Sequence, residues 1–117
     1  MKVSIVGTGY VGLVTGLCLA ELGNEVVCID VVPAKVKSIM EGRAPIYEPG
    51  IDGLLERNLR SGRFRATMDM GEVAATDVTF IAVGTPSRED GSLDLEYVKG
   101  AAEDIGRALA SKEGYHV

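Results

Sequence analysis

The feature that most constrains this chain lies in its first thirty residues, where a glycine motif stands between two short apolar runs. The run Lys2–Val6 is typical of a β-strand and leads directly into Gly7-Thr8-Gly9-Tyr10-Val11-Gly12. A second such run, Glu25–Ile29, ends at Asp30, about 18 residues beyond Gly12. A motif of this form is specific only when it follows a strand, opens a helix and precedes an acidic residue at the end of the next strand. The sequence meets all of these conditions and predicts a βαβ unit that binds a dinucleotide.

Each glycine of the motif has its own predicted task. Gly7 lets the chain turn sharply out of the strand, which a Cβ would hinder. Gly9 leaves space for a pyrophosphate to approach the backbone, and Gly12 lets the following helix pack close to the sheet. That helix, predicted from Tyr10 to Leu22, would direct its N-terminal N–H groups and the positive end of its dipole at the phosphates.

The acidic residue predicts which dinucleotide is bound. Asp30 is placed where its carboxylate can accept hydrogen bonds from both hydroxyls of an adenine ribose. Its charge would repel a 2′-phosphate, and Val31 and Val32 offer no arginine to bind one. We therefore expect NAD rather than NADP. The structural alternative is an ordinary strand-to-helix turn, with Asp30 only ending a strand.

Beyond Asp30, helix and strand patterns alternate to the end of the chain. Helices are predicted at 33–41, 51–61 and from 94 onwards, strands at 64–67 and 78–83, and a short helix at 68–75. The strand at 78–83 is apolar almost throughout, so we expect it to be buried on both faces. Residues 115–117 resemble the first residues of another strand.

The order of the strands follows from the right-handed crossovers that join parallel strands. The predicted fold class is α/β, a truncated Rossmann-type doubly wound parallel sheet with strand order 3-2-1-4 and three αβα layers. Such sheets bind ligands where the strand order reverses, between the ends of the first and fourth strands. Gly84 and Thr85 lie there. They either contact the pyrophosphate or ribose of the cofactor or form an ordinary strand-ending turn, and the sequence leaves both interpretations open.

Composition narrows the class of protein further. The length of 117 residues predicts one domain, 1–117, and the net charge of −5 argues against nucleic acid as a partner. The longest apolar stretch, Tyr10–Ala20, is too short to cross a bilayer and lacks the flanks of a signal peptide, so we expect a cytoplasmic protein with no membrane partner. Cys18 and Cys28 stand in apolar surroundings and are expected to be buried, with no metal site and no catalytic residue in the chain.

Further motifs accompany the glycine motif. They are Lys35 five residues after Asp30, P-I-Y-E-P-G at 45–50, V-G-T-P at 83–86 and D-G-S-L-D at 90–94. With them, the whole chain resembles the amino-terminal part of the UDP-glucose/GDP-mannose dehydrogenases. The glycine motif is shared with many dehydrogenases, whereas the loop motifs are much more specific to this family.

The resemblance implies an enzyme that oxidises the C6 alcohol of a nucleotide sugar to a carboxylate, using two NAD per turnover. UDP-glucose is the expected substrate, with GDP-mannose or a UDP-N-acetylhexosamine as alternatives. By the same resemblance, NAD is held by residues matching Tyr10, Val11, Asp30, Lys35 and Thr85. If Lys35 does not contact the ribose, it is a solvated lysine on a helix face. Glu48 is either a catalytic carboxylate or part of a structural turn.

Members of this family are longer than this chain, and their catalytic cysteine, lysine and asparagine lie in a second domain. The resemblance therefore implies an incomplete NAD-binding domain, inactive alone, whose parent enzyme is a homo-oligomer that contacts the nucleotide sugar through other domains. The sequence also allows two other functions. One is that of a stand-alone module that senses NAD without catalysis, and the other is that of a flavin-binding enzyme. We also expect the 117-residue chain to self-associate or to be poorly stable, because its apolar fourth strand would form a sheet edge.

Overall fold

The computed structural model describes residues 1–117 and alternates strands with helices along the chain. The elements are β1 (Lys2–Val6), α1 (Tyr10–Glu21), β2 (Glu25–Ile29), α2 (Pro33–Met40), α3 (Ile51–Ser61), β3 (Phe64–Thr67), a 3₁₀ helix (Met70–Ala75), β4 (Val78–Ile81) and α4 (Glu96–Leu109). None of these helices has the length and apolar character needed to span a membrane.

The four strands form one parallel sheet in the order β3-β2-β1-β4. Val6, the last residue of β1, pairs with Ile29 of β2 on one side and with Ile81 of β4 on the other. The carboxyl ends of the central strands therefore meet at one edge of the sheet. The predicted Rossmann-type fold and its strand order are confirmed.

Helices cover both faces of the sheet and enclose two apolar cores. The first core lies under α1, α2 and α3 and includes Ile5, Leu13, Leu17, Ile39, Leu55 and Phe64. The second lies under the 3₁₀ helix and α4 and includes Val6, Val27, Ile29, Val73, Ala101 and Ile105. The arrangement is the predicted three-layer αβα sandwich.

The helix boundaries follow from local sequence signals. Pro33 occupies the first turn of α2, where its missing N–H costs no helical hydrogen bond. Gly62 ends α3 with a φ of 77°, a left-handed conformation that glycine adopts without strain. Asp69 accepts a hydrogen bond from the Gly71 N–H at 2.9 Å and so caps the 3₁₀ helix.

The fourth strand differs from the prediction in length and in burial. It ends at Ile81 rather than at Val83, and Phe80 and Ile81 are 44% and 43% exposed. The expectation of burial on both faces is wrong because β4 is the last strand of the sheet, where the cover over its side chains is incomplete. On its other side, the Val117 N–H donates to the Asp77 carbonyl at 3.2 Å and the Val117 carbonyl accepts from the Thr79 N–H at 2.8 Å. The predicted further strand is limited to these two bonds, which have the pattern of a parallel neighbour.

The two cysteines have different surroundings. Cys28 lies fully buried in β2, and burial, together with the nearby charge of Asp30, raises the pKa of its thiol to about 12. Cys18 is exposed, so the expectation that it packs inside is wrong. The buried stripe of α1 runs through Leu13, Leu17 and Ala20, and Cys18 lies off that stripe.

Candidate functional site

The turn between β1 and α1 is tight because three backbone segments meet there. Gly7 has a φ of +111°, and a Cβ at this position would lie 2.3 Å from the carbonyl oxygen of Ala82. A Cβ on Gly12 would lie 2.0 Å from the carbonyl oxygen of Gly7. The turn, the first turn of α1 and the residue that follows β4 are thus packed at a distance that only glycine permits at both positions.

Gly9 faces open space instead. No atom lies within 4 Å of the place where its Cβ would be, and its φ of −72° is available to any residue. It is the N-cap of α1, provides no side-chain acceptor, and no acidic residue follows in the first turn. The first N–H groups of α1 have no partner within the helix and carry the positive end of its dipole. This end of α1 therefore suits an anion that approaches across Gly9.

Asp30 follows β2 at the same edge of the sheet and is held by three hydrogen bonds. Its Oδ2 accepts from the backbone N–H of Thr8 at 2.9 Å and from the Thr8 hydroxyl at 2.6 Å. Its Oδ1 accepts from the N–H of Val32 at 2.9 Å. The half-buried carboxylate is therefore fixed against the glycine turn before any ligand binds.

The surroundings of Asp30 favour its charged form. Burial raises the pKa of this carboxyl, but the hydrogen bonds from Thr8 and Val32 and the positive charge of Lys35 outweigh burial, and the net pKa lies below its ordinary value. Lys35 lies half-buried on α2 and acts on Asp30 through its charge. The charges of these two predicted site residues thus interact, without a hydrogen bond or ion pair between them.

An apolar cavity of about 80 Å³ lies next to Asp30 at the carboxyl edge of the sheet. It is lined by Val6, Gly7, Ile29, Asp30, Val31, Met70 and Val83. Apart from Asp30 its walls are apolar or backbone, so the carboxylate stands beside a small apolar surface at this edge of the sheet. Met70, from the 3₁₀ helix, was not anticipated from the sequence because nothing in its local pattern indicates that it lies at this edge.

Gly84 and Thr85 lie beyond this cavity. Both are exposed, and neither makes a hydrogen bond to the glycine turn. The structure places them in the segment that follows β4, after Val83.

Tyr10, the first residue of α1, makes a contact that the sequence did not indicate. Its phenol donates a hydrogen bond to Glu48 Oε2 at 3.0 Å. This bond, and then the carboxylate charge, raises the pKa of Tyr10. The contact joins the glycine turn to the loop at 45–50, while Val11 next to Tyr10 remains 68% exposed. The hydrogen bond therefore holds Glu48 next to the N-terminus of α1.

Thr8 is the other residue that sequence reasoning missed. The glycine motif assigns no role to this residue, yet it supplies two of the three hydrogen bonds to Asp30. The indication available in the sequence was a hydroxyl residue in a turn expected to contact the end of β2.

Taken together, the sheet, the glycine turn and the carboxylate after β2 define a Rossmann-type dinucleotide-binding domain. Residues 1–115 match the model of the UDP-glucose/GDP-mannose dehydrogenase family, NAD binding domain. The chain belongs to this family, and the match confirms both the predicted resemblance and NAD as the cofactor.

Curated relatives include dehydrogenases of two nucleotide sugars. The chain is 48% identical over 117 residues to UDP-glucose 6-dehydrogenase TuaD of Bacillus subtilis, covering 99% of this chain and 25% of that protein. It is 42% identical over 117 residues to GDP-mannose 6-dehydrogenase of Pseudomonas syringae, covering 99% of this chain and 27% of that protein. The chain thus spans about a quarter of the length of the curated relatives it matches.

A solved structure with a closely similar fold is a ternary complex of GDP-mannose dehydrogenase from Pseudomonas aeruginosa. It has a TM-score of 0.96 and 43% identity, covering 99% of this chain and 27% of that one. A UDP-glucose dehydrogenase from Pyrobaculum islandicum has a TM-score of 0.94 and 48% identity, covering 98% of this chain and 27% of that one. The chain therefore has the fold of the NAD-binding domain of the UDP-glucose/GDP-mannose dehydrogenase family.

Proposed function

We propose that this chain is the NAD-binding part of a UDP-glucose 6-dehydrogenase, which oxidises UDP-glucose to UDP-glucuronate with two NAD. Identities of 48% and 50% to the enzymes of Bacillus subtilis and Rhizobium meliloti support UDP-glucose, against 42% to the GDP-mannose enzyme of Pseudomonas syringae. GDP-mannose is the second candidate substrate, because the GDP-mannose dehydrogenase structure has the slightly higher TM-score.

The observation that carries the cofactor assignment is the pairing of an open helix N-terminus with a fixed carboxylate at one edge of the sheet. The residues proposed to hold NAD are Gly7, Gly9, Tyr10, Val11, Gly12, Asp30, Lys35, Gly84 and Thr85. The missing side chain at Gly9 leaves the cradle that a diphosphate needs, since nothing lies within 4 Å of its Cβ position. The chemistry of these residues therefore suits the diphosphate and the ribose of NAD.

Bound NAD supplies the hydride acceptor for oxidation of an alcohol. The residues of this chain bind and orient it. The first N–H groups of α1 would donate to the diphosphate, and the helix dipole would offset part of its charge. Asp30 would accept from the adenine ribose and would repel a 2′-phosphate.

No residue of this chain is proposed as catalytic. The Cys28 thiol is buried and its pKa is raised to about 12, so it does not supply the thiolate that a nucleophilic cysteine needs. Glu48 already accepts the phenol hydrogen of Tyr10. The oxidation itself is proposed to need further parts of the parent enzyme, including those that bind the sugar and those that form its oligomer.

Calorimetric titration of the 117-residue chain with NAD, NADP and UDP-glucose tests this proposal. We expect NAD to bind, NADP to bind much more weakly, and UDP-glucose not to bind. Asp30→Ala should weaken NAD binding by about 1.5–3 kcal/mol, the range for a hydrogen bond to a charged group. Asp104→Ala, which removes a half-exposed carboxylate of α4 that pairs with Arg107, is the matched control and should leave the affinity unchanged. A folded chain that ignores NAD, or binds NAD and NADP equally, would contradict the assignment.

A further inference from the structure

Thr8 combines burial with two polar contacts to a single atom. The residue is only 1% exposed, although threonine is polar and the neighbouring Gly9 and Tyr10 are at the surface. Its backbone N–H and its hydroxyl both donate to Asp30 Oδ2, at 2.9 Å and 2.6 Å. The second distance is the short one typical of an O–H donor to an ionised carboxylate.

The hydrogen bonds on Asp30 determine which oxygen is left for a ligand. A carboxylate offers about four lone-pair positions, two on each oxygen. The two bonds from Thr8 fill Oδ2, and the N–H of Val32 takes one position on Oδ1. One acceptor position therefore remains, and it lies on Oδ1.

We propose that Thr8 is a positioning residue whose hydroxyl fixes the Asp30 carboxylate so that Oδ1 is the oxygen that accepts from the ribose of NAD. The inference rests on the proposed NAD-binding function and deepens it. It replaces the expectation that Asp30 accepts equally from both ribose hydroxyls with one preferred bond.

The hydroxyl contributes something that the backbone alone does not. Any residue except proline at position 8 has the N–H that bonds to Asp30, whereas threonine or serine adds a short hydroxyl as the second donor. Among the charged and titratable groups around Asp30, the Lys35 ammonium favours the ionised carboxylate, and the buried Cys28 thiol is neutral. Removing the hydroxyl should therefore raise the pKa of Asp30 as well as loosen its orientation.

The test compares Thr8→Val, Thr8→Ser and Thr15→Val by calorimetry with NAD over a range of pH. Thr8→Val should bind NAD about tenfold more weakly at neutral pH, and its binding should be lost at a higher pH on acidification than that of the wild type. Thr8→Ser restores the donor and should recover both the affinity and the pH profile. Thr15→Val, a matched change on α1 away from Asp30, should behave as wild type. Thr8→Ala serves if the valine variant does not fold.

Carbon-13 NMR of the Asp30 carboxyl, in protein without NAD, gives a second measurement. The titration midpoint should move to higher pH in Thr8→Val and return in Thr8→Ser. An unchanged midpoint with unchanged NAD affinity would overturn the role of Thr8. If the wild-type chain itself does not bind NAD, the proposed function and the ribose contact fail together, and the carboxyl titration alone then decides whether Thr8 controls Asp30.

Discussion

Among single residues, glycines that share one motif have distinct physical roles. The motif predicts that Gly9 and Gly12 both matter, and the structure shows why they differ. A Cβ on Gly12 would overlap the Gly7 carbonyl at 2.0 Å, whereas a Cβ on Gly9 would meet nothing. The role of Thr8 could not be predicted from the motif, because it depends on where the Asp30 carboxylate lies after folding.

This contrast predicts that one substitution impairs stability and the other impairs NAD binding. Gly12→Ala should destabilise the fold by about 1–3 kcal/mol or more, because backbone must move to admit the methyl group. Gly9→Val should change stability by less than about 1 kcal/mol, and it should abolish NAD binding by filling the space that the diphosphate needs. Urea unfolding followed by circular dichroism measures the first effect, and calorimetry with NAD measures the second. Comparable stability losses in the two variants would contradict this distinction.

For whole elements, local patterns predicted the strands, the helices and their order, because the crossover rule leaves few topologies for alternating elements. The same patterns did not predict the burial of a residue where that burial depends on which other elements pack against it. The apolar run at 78–83 reads as a central strand, yet β4 lacks a full partner on one side. α1 carries apolar residues around most of its surface, so periodicity could not show that Cys18 points outward. Gly12 and Gly16 mark the face of α1 that packs on the sheet.

Packing of α1 on the sheet depends on Gly16. A Cβ there would lie 3.0 Å from Cys28 Sγ, 3.1 Å from Ile5 Cδ1 and 3.2 Å from Phe64 Cε2. Gly16→Ala should therefore lower the free energy of unfolding by about 1–2 kcal/mol despite the better helix propensity of alanine. Adding Cys28→Ala should recover part of that loss, a non-additive result expected of residues in contact.

The matched control for Gly16 is Gly106→Ala on α4, where the added methyl group meets nothing within 4 Å. It should stabilise the chain by about 0.5–1 kcal/mol through helix propensity alone. Urea unfolding of these three variants and of Cys28→Ala alone completes the comparison. Stabilisation by Gly16→Ala would show that α1 can move away from the sheet at no cost.

For the molecule as a whole, the apolar surface at the β4 edge has a consequence for association. A groove there is lined by Met1, Val3, Leu19, Asn24, Asp77, Val78, Phe80, Tyr115 and Val117. Exposed apolar edges of this kind promote contact between copies. The 117-residue chain should therefore show concentration-dependent self-association in sedimentation velocity. Phe80→Lys should suppress it, and Tyr47→Lys, at an equally aromatic but distant exposed site, should not. A monodisperse monomer at high concentration would contradict the expectation.

Stability against acid also belongs to the whole chain, because it sums over carboxyls held in the folded state. The pKa of Glu21 is lowered by hydrogen bonds from Asn58 and then Arg57, and the pKa of Asp90 by the Ser92 hydroxyl. The pKa of Asp30 is lowered because its hydrogen bonds outweigh burial.

A carboxyl whose pKa is lower in the folded than in the unfolded chain stabilises the fold above its ordinary pKa, and that contribution is lost as pH falls through the folded value. The ordinary values are 4.5 for Glu and 3.8 for Asp. The urea midpoint should therefore change little from about pH 7 to about pH 5 and fall steeply below about pH 4. Asp30→Asn should be less stable at neutral pH and should lose less on acidification, because its side chain has no proton to gain. An Asp30→Asn variant with the same acid dependence as the wild type would show that Asp30 does not contribute to this loss, which then comes from other carboxyls.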